Sequence, residues 1–152
     1  MAEIFFETPT GILALREADG TLVGIRWQAG ARCGGEETPL LAEARRQILA
    51  YFAGCRRDFD LPLSLRGTDF QRAVWRAMAA IPYGAVRTYG DLARDLDANA
   101  RAVGAACGRN PVPIVIPCHR VVGGGGRLTG FSGGDGIETK RALLRLEGAM
   151  LI

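Results

Sequence analysis

Histidine is almost missing from this sequence: His119 is the single example among 152 residues. Any mechanism that needs imidazole must therefore use that residue, and most zinc chemistry is excluded. Cysteine is sparse too. Cys33, Cys55, Cys107 and Cys118 lie 22, 52 and 11 residues apart, with no Cys-x-x-Cys pair to suggest a zinc ribbon or a thioredoxin-type site. In a reducing compartment these four are thiols rather than bridges. Lysine occurs once, as Lys140, against 18 arginines. No stretch approaches the roughly 20 uninterrupted apolar residues that a membrane-spanning helix requires. The opening Met1-Ala2-Glu3-Ile4-Phe5-Phe6-Glu7 carries two acids and no basic residue, unlike a secretory leader. The expectation is a cytoplasmic protein that engages no membrane.

What is present is an ordinary globular balance, 48% hydrophobic and 23% charged, in a length that suits one domain or a small lobe joined to a larger one. The net charge of +3 is unevenly placed. Residues 1–66 hold 8 Arg against 9 acids, while residues 67–152 hold 10 Arg and Lys140 against 7 acids. A basic second half fits a nucleic-acid partner, but charge alone does not establish one.

Alternation and turn chemistry predict a β-meander at the start. Glu3–Thr8 and Ile12–Glu17 are joined through Pro9-Thr10-Gly11, and Asp19-Gly20 is a hairpin signal before Thr21–Trp27. Gln28–Thr38 reads as a loop. Pro39 opens a helix whose face is Leu41, Ala44, Ile48, Tyr51 and Phe52, ended by Gly54. The connector Cys55–Gly67 marks the boundary between a lobe of residues 1–66 and a working domain of residues 67–152. Thr68-x-x-Gln71 is a capping box for a helix with the face Phe70, Val74, Ala77 and Met78, stopped at Ile81-Pro82-Tyr83-Gly84. Thr88 caps a short helix through Leu96. Asn99 starts another over Ala100–Cys107, and so close a pair suggests a helix-turn-helix. Pro111–Pro117, with its prolines and β-branched residues, predicts an extended segment. Gly123–Gly126 and Gly133–Gly136 read as a flexible stretch before a last helix, Ile137–Gly148, packed through Leu143, Leu144 and Leu146. Trp27 and Trp75 are expected in the core, Cys107 as a small helix residue, and Cys33 and Cys55 as incidental. The fold class is α+β: a small sheet-and-helix lobe, then a mostly helical domain.

Chemistry is concentrated at Cys118-His119-Arg120. A nucleophilic thiol is activated by a nearby base or cation. Neighbouring side chains on a strand point opposite ways, so His119 reaches Cys118 only if the chain turns there or a water relays the proton. The segment Arg109-Asn110-Pro111-Val112-Pro113-Ile114-Val115-Ile116-Pro117-Cys118-His119-Arg120-Val121-Val122 resembles the active-site signature of the O6-alkylguanine-DNA alkyltransferases, the methylated-DNA–protein-cysteine methyltransferase family. Ala100-Arg101-Ala102-Val103-Gly104 resembles the start of that family's recognition helix, and Tyr83-Gly84-x-Val86-x-Thr88-Tyr89-x-x-Leu92-Ala93 the helix before it. Phe131-Ser132-Gly133-Gly134 and Lys140-x-x-Leu143-Leu144-x-x-Glu147-Gly148 resemble its substrate loop and final helix. The likeness is strong over Phe70–Gly148 and looser over the first 66 residues.

The resemblance implies repair of alkylated double-stranded DNA by stoichiometric transfer of the alkyl group from O6-alkylguanine, and from O4-alkylthymine, to Cys118. Base flipping would occur from the minor-groove side, with no turnover and no cofactor or metal. It implies His119 as a base acting through water, Glu147 orienting it, Asn110 near the thiol, and Tyr89 donating a proton to the departing guanine. Arg101 would enter the vacated base stack, with Thr88, Tyr89, Ala102 and Arg109 at the DNA. Val121, Phe131, Ser132 and Lys140 would lie at the substrate; Lys140 either supplies charge near Cys118 or is a solvated surface lysine. The zinc site that some members carry in their N-terminal lobe has no histidine here to build it. A monomer without an obligatory protein partner, associated with the nucleoid, completes the expectation. A lesion binder of the same framework would lack the cysteine, a regulator would need a second DNA-binding module, and a cysteine hydrolase would turn over.

Overall fold

The computed structural model describes residues 1–131 and 133–149. The chain divides into two compact units, Met1–Leu65 and Arg66–Ile152, within an α+β architecture.

In the first unit, β1 (Ala2–Thr8), β2 (Gly11–Ala18) and β3 (Thr21–Gln28) form the antiparallel meander. Asp19 and Gly20 both take positive φ, 52° and 76°, the mirror-image turn whose twist matches a hairpin. A short β4 (Gly34–Gly35) adds to the free edge of β1, within the stretch expected to be a loop. Glycine is required there: a Cβ on Gly35 would stand 2.3 Å from the Glu3 carbonyl oxygen. Helix α1 (Pro39–Phe52) begins with Thr38 accepting from the Leu41 N–H at 3.0 Å and with proline in the first turn. It buries Leu41, Ala44, Ile48 and Tyr51 as expected, and also Gln47. The Gln47 amide bonds the Asp60 carbonyl and N–H, both at 3.0 Å, which satisfies a buried polar group. Leu22 donates to the Pro62 carbonyl at 2.8 Å. The connector thus returns to the sheet instead of leaving it. Trp27 is half-buried rather than core, its indole N–H reaching Thr10 at 3.2 Å.

In the second unit, α2 (Asp69–Ala79) starts with the full capping box of Thr68 and Gln71. Its buried face is Val74, Trp75 and Met78; the Trp75 indole donates to the Ala106 carbonyl at 2.9 Å and so ties α2 to α4. Thr88 caps α3 (Tyr89–Asp95) and Asn99 caps α4 (Ala100–Gly108), with Asp97 at φ 51° in the turn between them. Two residues before α3, Arg87–Thr88 (β5), pair in parallel with Val121–Val122 (β6), a ladder that no local sequence signal announces. Gly124–Gly126 forms a 3-10 turn, and α5 (Ile137–Leu146) buries Thr139, Lys140, Leu143 and Leu144, leaving Leu146 half-exposed.

The expected extended run over Pro111–Pro117 is corrected. The chain folds back in a tight turn: Pro113 bridges to Ile116, Ile116 N–H donates to Val112 O at 2.9 Å, and Ile114 sits at φ 75°. Left-handed backbone is costly for a β-branched residue. Asn110 supplies the compensation, donating from Nδ2 to Ile116 O at 2.8 Å and accepting from Val112 N–H at 3.0 Å.

Candidate active site

That turn delivers Cys118 to the first position of a 3-10 turn, Cys118–Arg120, in a partly exposed site. The chain does turn at this point, so His119 departs from the strand geometry that would have pointed it away. Burial pushes the Cys118 thiol above its ordinary 9.0, opposed by a hydrogen bond from Asn110, the charge of Lys140 and the backbone N–H groups of Cys118 and His119. At neutral pH the resting sulfur is therefore a thiol, and its reaction requires a proton acceptor.

His119 is fully buried. Its Nε2 lies 2.7 Å from Glu147 Oε2, so Nε2–H donates to the carboxylate and Nδ1 of the neutral ring is left as an acceptor. Nδ1 has no hydrogen-bond partner among the described residues. Burial pushes His119 below its ordinary 6.5, more strongly than Glu147 raises it. Arg120, named in the sequence only as part of the motif and without a role of its own, is also buried: its Nε and Nη2 donate to the two Glu147 oxygens at 2.8 and 3.0 Å, and Nη1 donates to the Ile81 carbonyl at 2.6 Å.

Tyr89, Cys107 and Lys140 also lie near enough that each influences or is influenced by the charge at Cys118. Lys140 is not a solvated surface lysine. It is fully buried, with Nζ donating to the Thr129 carbonyl at 2.8 Å and to the Val121 carbonyl at 2.5 Å. Desolvation lowers its pKa. The Tyr89 hydroxyl donates to the same Thr129 carbonyl at 3.4 Å, and burial pushes the phenol up to about 12. Cys107, buried on α4, is likewise pushed up to about 12 by burial and by Cys118. Its place on the buried face beside Val103 and Ala106 was the available signal for it.

Two family descriptions cover nearly all of the chain: residues 1–65 match the ribonuclease-like domain of 6-O-methylguanine DNA methyltransferase, and residues 69–149 match its DNA-binding domain. The chain belongs to the 6-O-methylguanine DNA methyltransferase family. A methylated-DNA–protein-cysteine methyltransferase of Mycolicibacterium paratuberculosis is 47% identical over 148 residues, covering 93% of this chain and 88% of that one. The crystal structure of the Mycobacterium tuberculosis O6-methylguanine methyltransferase superposes with a TM-score of 0.85 at 41% identity, over 100% of this chain and 96% of its own. The Mycobacterium tuberculosis OGT in complex with DNA gives 0.84 at 45% identity, over 95% and 91%.

Within this member of the methyltransferase family, the remaining sequence-selected residues divide between the helix pair and the loop after Cys118. Arg101 is exposed in the first turn of α4 and Arg109 is exposed at its end, about 12 Å further along at 1.5 Å per residue. Ala102, half-buried, donates its N–H to the Asn99 cap at 2.8 Å. The Thr88 hydroxyl is occupied as the α3 cap, accepting from Asp91 N–H at 3.0 Å. Val121 is buried, its carbonyl already holding Lys140, and Phe131 is half-buried. Ser132 lies outside the described residues. The structure gathers Cys118, Asn110, His119, Glu147, Tyr89 and Lys140; it leaves Arg101, Ala102 and Arg109 along a separate helix.

Proposed function

We propose that this protein repairs alkylated double-stranded DNA by moving the alkyl group of O6-alkylguanine, and of O4-alkylthymine, irreversibly onto Cys118. The observation that carries the reading is a reachable thiol beside a buried His119–Glu147 pair whose free ring nitrogen, Nδ1, is an acceptor. The thiol proton passes through a water to Nδ1. The sulfur then forms a bond to the alkyl carbon as the carbon–O6 bond breaks, and Tyr89 delivers a proton to N3 so that a neutral guanine leaves. Glu147 stabilises the imidazolium. Asn110 donates to the developing thiolate, and the positive charge of Lys140 favours it. A thioether carries no good leaving group, so each molecule acts once, and the displacement balances without a cofactor.

The target carbon lies within the duplex, so the nucleotide must leave the stack, at a cost of a few kcal/mol. Helix α4 presents mostly small residues, Ala100, Ala102, Gly104 and Ala105, with Arg101 the long side chain of its first turn. Small residues permit close approach to a minor groove without reading bases, and Arg101 is suited to enter the vacated stack. Thr88 and Arg109 join that helix at the DNA, while Val121 and Phe131 line the guanine. The protein acts as a cytoplasmic, nucleoid-associated monomer.

Incubation with a duplex bearing O6-methylguanine is expected to add one methyl group to the Cys118 peptide, at a stoichiometry near one, by intact-protein and peptide mass spectrometry. Consumption of lesion beside an unmodified Cys118, or repair of many equivalents, would falsify the reading.

A further inference from the structure

The proposed chemistry uses His119 and Glu147 but assigns nothing to the third member of the buried cluster. Arg120 is 6% exposed, and no other described guanidinium is so deeply enclosed. Its three bonds fix it completely: Nε and Nη2 fork onto the two Glu147 oxygens, and Nη1 ends on the Ile81 carbonyl. The Tyr83 ring lies 5.7 Å from the guanidinium carbon, and the Tyr83 hydroxyl is itself tied to the Leu146 carbonyl at 3.2 Å. Glu147 Oε2 therefore accepts from His119 and Arg120 together.

We propose that Arg120 is a positioning residue of the relay: by clamping Glu147 and sharing its charge it keeps the resting His119 a neutral imidazole, protonated on Nε2 and free to accept a proton on Nδ1. This rests on the reading of His119 as the base. A carboxylate 2.7 Å from an imidazole, left alone in a desolvated site, would draw a second proton onto the ring. Nδ1 would then be a donor, and the thiol would have nowhere to send its proton. A bidentate guanidinium divides that carboxylate's attraction and also repels an imidazolium directly. The other charged groups around His119 act in known directions. Lys140 of α5 disfavours a second proton and Glu147 favours it. Helix α2 turns Val74, Trp75 and Met78 inward, while Arg76 is exposed and Arg72 pairs with Asp69.

His119 is the only histidine in the chain, so its imidazole nitrogens give a single, unambiguous pair of signals in 15N NMR of the full-length protein. The wild type is expected to show the Nε2–H tautomer and to resist protonation below the ordinary 6.5. Arg120→Gln is expected to move the His119 titration upward by about one unit or more, since loss of an opposite charge beside a carboxylate frees it to act on the ring. The acid limb of the single-turnover repair rate should move with it, about tenfold slower at the same acidic pH, while affinity for undamaged DNA stays unchanged. Arg120→Lys keeps the charge but not the fork; it should shift in the same direction by less, and it decides the matter if Arg120→Gln does not fold. A folded variant of either kind that titrates where the wild type does, with the same acid limb, overturns the proposal. His119→Gln separates the two readings: unchanged repair in that variant removes the base, whereas the NMR titration of the Arg120 variants still reports on the clamp by itself.

Discussion

Replacing Asn110 with alanine cuts three links at once. The side chain loses its bonds to the Ile116 carbonyl (2.8 Å) and the Val112 N–H (3.0 Å), and its donor to the Cys118 sulfur. A net neutral hydrogen bond contributes about 0.5–1.5 kcal/mol, and stranding a buried donor costs about 1–3 kcal/mol. Val112 is fully buried, so its N–H has little recourse to water. The same bonds hold Ile114 at φ 75°, a conformation that costs an L-residue about 1–2 kcal/mol. Together these predict a loss of about 2–3 kcal/mol, or a Tm lower by about 5–10 °C for a chain of this size. Differential scanning calorimetry measures it. The thiolate also loses a donor, so single-turnover repair at neutral pH should slow about tenfold or more, the equivalent of one charge-assisted bond. Asn110→Asp keeps the acceptor for Val112 but removes the amide donor and adds a negative charge near the sulfur. It should recover part of the Tm and none of the rate. If Asn110→Ala melts within about 1 °C of the wild type, the turn supports itself and the reasoning is refuted.

Gly130 sits at φ 70°, and a Cβ there would approach the Tyr89 hydroxyl to 3.1 Å. Gly130→Ala should cost about 1–2 kcal/mol in backbone strain and slow repair by displacing the phenol, while DNA affinity measured by fluorescence anisotropy stays constant; an unaltered rate would sever Tyr89 from this loop. His119 has a folded pKa below 6.5, so its contribution to stability is complete above that pH and drains away as pH falls toward the folded value. The urea midpoint of the wild type should therefore drop below pH 6.5 more steeply than that of His119→Gln. Parallel pH dependences would show that this ring does not set the acid sensitivity.

Local signals carried far in this chain. The capping box at Thr68, the caps at Thr88 and Asn99, the proline opening α1 and the Asp19-Gly20 turn each involve groups within four residues, and each forms as its sequence suggests. The fold departs from the local signals where a distant partner decides, or where a side chain bonds into the backbone of its own turn. Gly34–Gly35 joins the sheet only because β1 offers a free edge some thirty residues earlier. Pro111–Pro117 looks extended by propensity, but the Asn110 side chain outbids propensity by bonding both arms of the turn. Arg120 and Lys140 carry charges that ordinarily face water. Their partners, the carboxylate of Glu147 and the carbonyls of Val121 and Thr129, are brought near only by the folded chain. Cys118 and His119 stood out by their rarity and by the motif around them; the geometry that makes them useful did not.

The parallel pairing of Arg87–Thr88 with Val121–Val122 spans only two rungs. Yet Tyr89 begins immediately after one rail and Cys118 ends three residues before the other, so backbone bonds set the gap between phenol and sulfur. The helix pair that would meet DNA lies inside the loop this pairing closes, and the Trp75 bond to the Ala106 carbonyl pins α4 a second time. Insertions or deletions at the Asp97 corner would thus be absorbed in the turn between the two helices, and the two anchors would keep the chemical spacing to its gauge.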